Sequence, residues 1–177
     1  MAHLKRLCAN NNFSCGIELV ERVYLDTNVY CRPLDDQSDR RIRKESDAFV
    51  DIADAALRGK IVIVSSDYVK FEIERIVDPL KKKDIRGFER TLASVKVASS
   101  KQIISLARKF SAKCGLNPLD ALHVSAACLG RVDWFLTCDD EILQKGWCIE
   151  ELATEEGYRL KVRSPIDYLE GKHKVKK

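Results

Sequence analysis

The sequence predicts an α/β protein in which helices cover both faces of a central, mainly parallel sheet. Short apolar runs alternate with stretches of helical periodicity along most of the 177 residues, and this alternation is typical of βαβ units. In addition, acidic residues stand just past two of the apolar runs, at the strand ends where such sheets collect ligand-binding side chains. The composition, 45% hydrophobic and 33% charged, is that of a globular protein and excludes a disordered or fibrous chain.

Strands are predicted where short runs rich in β-branched or aromatic residues are bounded by polar or turn residues. These runs are residues 22–25, 61–64, 134–137, 147–149 and 160–162. Helices are predicted where apolar residues recur every three or four positions, at residues 39–58, 66–77, 84–95, 99–113, 118–129 and, as a short turn, 141–144. Gly59 and Gly115 mark helix ends, and Asn117 followed by Pro118 marks a helix start.

The chain is expected to consist of one domain, residues 22–170, between an N-terminal extension, residues 1–21, and a basic tail, residues 171–177. The net charge of +4 comes from the last six residues, which include four lysines, because the remainder has 27 basic and 27 acidic residues. Affinity for a polyanion must therefore come from local patches. The apolar runs are too short to cross a membrane and the first residues lack a signal-peptide pattern, so we expect a cytoplasmic protein with no membrane partner.

The seven cysteines include no Cys-x-x-Cys pair. An odd number without that spacing argues against a disulfide framework and against a structural zinc site. Cys128 lies in an apolar helical run and Cys138 follows a strand, so both are expected to be buried as small hydrophobic side chains. No spacing favours a cysteine nucleophile paired with a histidine.

Four acidic residues stand where the pattern calls for apolar side chains. Two of them are Asp26, directly after the first strand, and Glu72, on the apolar face of its helix. Glu74, two residues further on, faces solvent. Buried carboxylates are costly unless they are paired or bind a metal, and several that converge would suit a hard divalent cation. The alternatives are that Asp26 starts a turn and that Glu72 forms a buried ion pair with Arg75.

Asp120 and Asp139 complete the set. Asp120 takes the third position of the helix that begins after Asn117, where a carboxylate also stabilises the helix start, and one oxygen can cap while the other binds a metal. Asp139 follows the strand at 134–137 and is favoured over Asp140, which is expected to start the next turn. Supporting side chains are then expected close to the acids, namely Thr27, Asn28, Thr137 and His123, with the histidine as a neighbour or core residue and not as a ligand.

These motifs, taken in order, resemble the PIN domain. They are Leu25 to Asn28, the inward Glu72, Asp120 to Ala127 and Leu136 to Asp140, and the resemblance covers residues 22–170. It implies a PIN-like three-layer α/β/α fold and a ribonuclease that hydrolyses RNA with Mg²⁺ or Mn²⁺. It carries over Asp26, Glu72, Asp120 and Asp139 as the metal-binding and catalytic acids, with Thr137 and His123 in support. Thr27, Asn28 and Asp140 are further supporting candidates because they lie next to these acids in the sequence. For the toxin ribonucleases of the VapC type within this family, it also implies an antitoxin protein and a homodimer as partners.

A basic cluster near the start of the second helical stretch is a candidate for contacts with RNA phosphates. Its members are Arg40, Arg41, Arg43 and Lys44. The alternative is a solvated helix face, which explains any single basic patch equally well.

Two other functions remain open at the level of sequence. A phosphatase of the haloacid dehalogenase type also places an aspartate after its first strand but needs a second aspartate two residues later, where this chain has Asn28. A catalytically silent module that binds RNA or a protein would use the same fold without needing the four acids, all of which are present.

Overall fold

The computed structural model describes the backbone of residues 20–175 and the side chains of residues 20–172. Within this range the strands are β1 (Glu21–Leu25), β2 (Ile61–Ser66), β3 (Ala93–Val97), β4 (Trp134–Leu136) and β5 (Lys161–Arg163). They form one sheet in the order β3-β2-β1-β4-β5, and each neighbouring pair is parallel. Residues 1–19 of the predicted extension at 1–21 and residues 173–177 of the basic tail lie outside the described side chains.

Helices cover both faces of the sheet. They are α1 (Thr27–Cys31), α2 (Arg40–Leu57), α3 (Asp67–Arg75), α4 (Pro79–Leu92), α5 (Lys101–Cys114), α6 (Pro118–Leu129), α7 (Asp140–Gln144), α8 (Gly146–Glu155) and α9 (Pro165–Val175). Helix α2 packs against α4 and α9, whereas α5 packs against α6 and α8. The predicted three-layer α/β/α fold with a parallel central sheet is therefore confirmed. No helix in the part of the chain described is both long and apolar enough to cross a membrane.

The strand order creates a crevice between β1 and β4. The chain adds β2 and β3 on one side of β1 and then places β4 and β5 on the other, so the direction of winding reverses at this point. Leu25 and Leu136 are partners in register at the carboxyl ends of the two strands. Side chains that follow these strands therefore meet at the edge where doubly wound sheets bind ligands.

Local signals in the sequence explain where several helices begin and end. The Asn117 side chain accepts from the backbone N–H groups of Leu119 and Asp120, each at 3.0 Å, and Pro118 takes the first helical position of α6. Gly115 ends α5 with φ 65°, a left-handed conformation that favours glycine. Ser66 caps α3 through its hydroxyl. These contacts agree with the predicted boundaries.

Two predicted elements are wrong. Residues 84–95 were expected to be helical throughout, but the helix ends at Leu92 and Ala93–Val97 forms the edge strand β3, where Val95 and Val97 suit an extended chain. Residues 147–149 were expected to form a strand but lie in α8. Ile149 and Leu152 are buried there three residues apart, and this helical spacing extends beyond the short run that suggested a strand.

The prediction from the cysteine count is also corrected. Cys114 and Cys148 form a disulfide, which joins the end of α5 to α8. The pairing brings together residues 34 apart in the sequence, and linear spacing carries no signal for such a contact. Cys128 and Cys138 are buried free thiols, as expected, and burial raises the pKa of each to about 12.

A buried glutamate anchors the start of α2. Glu45 is 1% exposed, pairs with Arg32, and accepts a hydrogen bond from Arg41 Nε at 2.8 Å. Arg41 also reaches the Asp140 carboxylate at the start of α7, at 2.6 and 2.7 Å. A series of ion pairs therefore connects the 3₁₀ turn at Arg32–Leu34 to α2 and α2 to α7.

Glu45→Gln is expected to lower the free energy of unfolding by about 3 kcal/mol, because it breaks a buried ion pair and leaves two guanidinium groups without their shared acid. Equilibrium denaturation measures the change. Asp54→Asn is the matched control in the same helix, since the Asp54–Arg58 pair is exposed on both sides and its loss should cost less than about 0.5 kcal/mol. Equal losses in the two variants would contradict the anchoring role of Glu45.

Candidate metal centre

Asp26 lies in the crevice between β1 and β4 and is 6% exposed. Its backbone N–H donates to the Leu136 carbonyl at 2.9 Å, which extends the pairing of the two strands by one residue. Its Oδ1 accepts from the backbone N–H of Thr27 at 2.8 Å, the contact that caps α1. Burial raises the pKa of Asp26, as does the charge of Glu72, although His123 and Thr137 partly offset the rise.

The second oxygen of Asp26 is held by two side chains. Thr137 Oγ1 and Asn28 Nδ2 each donate to Oδ2 at 2.7 Å. Asn28 Oδ1 accepts from the backbone N–H of Cys138 at 3.0 Å, and Thr137 Oγ1 accepts from that of Asp139, also at 3.0 Å. Asn28 and Thr137 therefore fix the orientation of Asp26 relative to the segment that carries Asp139, as expected of supporting residues.

Glu72 points inward from α3, as its helical position predicts. Its Oε2 lies 3.0 Å from Nε2 of His123, which is buried. Burial alone would raise the pKa of Glu72, but the contact with His123 lowers it below the usual value. The Thr27 hydroxyl adds to this lowering, although it makes no hydrogen bond of good geometry. Glu72 is thus kept ionised, and its partner is His123 and not Arg75.

His123 connects Glu72 to the sheet. Its Nδ1 lies 2.9 Å from the Tyr24 hydroxyl, which in turn lies 2.6 Å from Oγ of Ser66, the cap of α3. Burial alone would lower the pKa of His123, but the close contact with Glu72 and the charges of the nearby acids raise it. The carboxylates around His123 therefore favour its protonated form, and the ring connects α3 to α6. Both ring nitrogens of His123 already have neighbours, Glu72 and Tyr24. This placement suits a residue that supports the acids better than a metal ligand.

Glu74 faces the other side of α3. It accepts two hydrogen bonds from Arg86 in α4, each at 2.6 Å, and its side chain is 47% exposed. The arrangement agrees with the expectation that Glu74 is a surface acid outside the crevice.

Among the acids of the crevice, Asp120 shows the clearest rise in pKa. Burial and the charges of Asp26 and Asp139 raise its pKa to about 6. One of its oxygens accepts from the side-chain amide of Asn117, so it stabilises the start of α6 through the cap residue and not through the backbone N–H of the expected capping box. The other oxygen remains available for a ligand.

Asp139 and Asp140 have different surroundings. Asp139 caps α7 by accepting from the backbone N–H of Glu141 at 2.7 Å, and it is close enough to raise the pKa of Asp120. Asp140 pairs with Arg41 on the surface, and that contact lowers the pKa of Asp140. The geometry favours Asp139 as the acid of the crevice, while Asp140 holds α7 to α2.

Two acids and a histidine form a compact group, and two further acids lie at its margin. Asp26, Glu72 and His123 each offer one ligand atom within 4.8 Å of the others. Asp120 and Asp139 are not in that tight group, but Asp120 interacts with the charges of Asp26, Glu72 and His123, and Asp139 acts on Asp120. Carboxylate oxygens are the ligands that Mg²⁺ and Mn²⁺ prefer, and a cation would relieve the repulsion that raises the pKa of Asp120. The donor set therefore fits such an ion.

The predicted basic cluster has mixed surroundings. Arg41 is committed to Glu45 and Asp140, and its Nη2 also reaches the Cys138 carbonyl at 3.3 Å, so it borders the crevice. Arg43 donates to the Gln37 carbonyl. Arg40 and Lys44 are exposed. A contact with RNA stays a prediction for each of the four.

Sequence reasoning missed the role of Tyr24 and Ser66 in holding His123. A signal for Tyr24 was available, because residues two apart in a strand share a face and Tyr24 lies two residues before Asp26. Ser66 was considered only as a helix cap. Its second contact, with a tyrosine on the neighbouring strand, depends on the pairing of β1 with β2.

Comparison with known proteins gives one family match. The family described as PIN domain matches residues 23–147, which is more than half of the chain and includes all four acids. No curated protein matches the sequence.

Asp120→Asn is expected to stabilise the metal-free protein above pH 6 by about 1–2 kcal/mol. The folded-state pKa of about 6 lies above the ordinary aspartate value of 3.8, so ionisation of Asp120 opposes folding. The penalty is absent below about pH 4, grows as the pH rises and is complete above pH 6. A shift of this size corresponds to about 3 kcal/mol, which we reduce because water partly screens the side chain.

Thermal unfolding in chelator at pH 4 and pH 8 measures this difference. The variant should exceed wild type at pH 8 and match it at pH 4, and saturating Mn²⁺ should remove or reverse its advantage, because wild type gains more from the ion. A variant that is less stable than wild type at pH 8 in chelator would contradict the claim that ionisation of Asp120 opposes folding.

Proposed function

Because the chain belongs to the PIN-domain family, whose members are generally nucleases, we propose that it is a metal-dependent endoribonuclease that hydrolyses RNA phosphodiesters. The observation that carries this proposal is the convergence of side chains at the crevice between β1 and β4, where ligand atoms of Asp26, Glu72 and His123 lie within 4.8 Å of one another. Beside them, burial and the charges of Asp26 and Asp139 raise the pKa of Asp120. Such an arrangement opposes folding without a cation and favours it with one.

The proposed centre consists of Asp26, Glu72, Asp120 and Asp139. A bound Mg²⁺ or Mn²⁺ would supply Lewis acidity to activate water and to stabilise charge on the leaving oxygen. Asp26 is oriented by Thr137 and Asn28 and therefore needs little rearrangement to bind. Asp120 and Asp139 approach from α6 and from the start of α7, so the ligands come from separate elements around one opening.

Glu72 is proposed to complete the centre or to orient the attacking water. One of its oxygens is held by His123, which keeps the carboxylate ionised, and the other is free to accept a proton or a ligand. His123 is a positioning residue in this scheme, because its two nitrogens contact Glu72 and Tyr24. The buried imidazole also offsets part of the negative charge around Asp26.

The substrate is proposed to be single-stranded or looped RNA, whose backbone can reach an opening at a sheet edge. Arg41 borders the opening and is the member of the basic cluster best placed to meet a phosphate there. The finer assignments, a toxin held by an antitoxin protein, a homodimer and a cytoplasmic location, rest on the resemblance alone and stay predictions.

The test is cleavage of a mixed single-stranded RNA pool in Mg²⁺ or Mn²⁺ by wild type, Asp26→Asn and Glu74→Gln. Asp26→Asn is expected to reduce the rate at least about 100-fold, the order of loss that follows removal of a key electrostatic group. Glu74→Gln should cleave at nearly the wild-type rate, because Glu74 pairs with Arg86 on the surface.

Chelation should abolish cleavage by wild type, and added Mn²⁺ should restore it. Cleavage that survives both chelation and Asp26→Asn would contradict the proposal. Absence of cleavage in every form, without a rise in melting temperature on adding metal, would favour a module that binds RNA or protein and does not cut.

A further inference from the structure

The Cys114–Cys148 disulfide joins two segments that each carry an acid of the crevice. Cys114 is the last residue of α5, and Cys148 lies in the first turn of α8. Their Cα atoms are 5.7 Å apart across a sequence separation of 34 residues. Asp120 and Asp139 both lie between these two cysteines in the sequence, close to opposite ends of the loop that the disulfide closes.

On the first side, a short and well-fixed connection leads from Cys114 to Asp120. Gly115 turns the chain in the left-handed conformation, and Leu116 is buried. Asn117 then caps α6 and contacts the Asp120 carboxylate with its side-chain amide. Asn117, whose side chain contacts Asp120, is therefore only three positions from Cys114 along a buried and capped connection.

On the second side, Asp139 caps α7, and α7 runs almost directly into α8, with Lys145 between them. Lys145 Nζ donates to the Gly115 carbonyl at 2.8 Å, beside the disulfide. One covalent bond and one polar contact therefore link the α7–α8 junction to the turn before α6.

These links oppose the electrostatic repulsion between the Asp120 and Asp139 carboxylates. The charge of Asp139 is among those that raise the pKa of Asp120, so without a cation the two carboxylates repel. Asp26 is held by its own network of Thr137 and Asn28, and Glu72 by His123. The segments that carry Asp120 and Asp139 are joined by the hydrogen bond from Lys145 to the Gly115 carbonyl, and α5 is joined to the end of α8 by the exposed pairs Lys109–Glu156 and Lys113–Glu155. The disulfide adds a covalent link to these polar contacts, which water and salt weaken.

We propose that the Cys114–Cys148 disulfide positions the metal centre by keeping the Asp120 and Asp139 segments together before a cation binds. The inference rests on the proposed function, since it concerns the same acids. Reduction adds two electrons and two protons to give two thiols, and the reductant is oxidised in exchange. In the reduced protein, binding of the ion must also bring the Asp120 and Asp139 segments together. This ordering costs free energy, so the affinity of the reduced protein for the ion is lower.

The first test is Mn²⁺ titration by calorimetry of the full chain in three forms: oxidised wild type, wild type reduced with a phosphine, and Cys114→Ala/Cys148→Ala. Both forms without the disulfide should bind Mn²⁺ about fivefold or more weakly than oxidised wild type, the lower range of coupling between two sites. The phosphine should leave the affinity of the double variant unchanged.

A stability control separates positioning from general destabilisation. Phe88 lies in α4 and packs on Phe49 of α2, with 5.6 Å between ring centroids. Helices α2 and α4 belong to the layer that does not contain the disulfide, so Phe88→Ala removes packing far from it. It should lower the melting temperature but keep the Mn²⁺ affinity of wild type. If Phe88→Ala weakens Mn²⁺ binding as much as loss of the disulfide does, the positioning role is overturned.

The second test uses the reciprocity of coupled equilibria. In a glutathione redox buffer, saturating Mn²⁺ should raise the ratio of disulfide to dithiol by the same factor by which oxidation tightens Mn²⁺ binding, read out by thiol alkylation and mass spectrometry. Equal Mn²⁺ affinity in the oxidised and reduced forms, with no effect of Mn²⁺ on the ratio, overturns the inference. Failure of oxidised wild type to bind Mn²⁺ at all overturns the proposed function itself, and the inference with it.

Discussion

Repulsion among carboxylates at one edge of the sheet is the constraint on which the surrounding structure depends. Two such charges about 4 Å apart repel by roughly 1 kcal/mol in water and by about 4 kcal/mol at an effective dielectric of 20. The strand order brings Asp26 and Asp139 to neighbouring strand ends, and α6 adds Asp120. Folding therefore assembles a negatively charged site that the rest of the molecule must hold in place.

Each acid is held by different means. Asp26 receives hydrogen bonds from Thr137 and Asn28, and Glu72 is paired with a buried histidine. These contacts satisfy the carboxylates without neutralising the whole site. His123 lowers the pKa of Asp120, but Asp26, Asp139 and Glu72 all raise it. The remaining negative charge is what makes the crevice suited to a divalent cation.

Much of this arrangement follows from the sequence. The position of Asp26 after an apolar strand and the inward face of Glu72 are local consequences of strand and helix geometry. The start of α6 follows in the same way from Asn117 and Pro118. What the sequence does not contain are pairings between distant segments. The contact of Glu72 with His123 and the disulfide of Cys114 with Cys148 arise only when α3, α5, α6 and α8 are packed. The edge strand β3 was missed because its β-branched residues continue a helical pattern without a break.

The most direct test of the central claim is diffraction from crystals grown with Mn²⁺, with anomalous data that locate the ion. The account predicts an anomalous peak in the crevice between β1 and β4, coordinated by oxygens of Asp26 and of at least one of Asp120 and Asp139, with Asp140 still paired to Arg41. Well-ordered carboxylates with no peak among them, or Mn²⁺ bound only at surface acids such as Glu74, would contradict the claim that these residues form a metal centre.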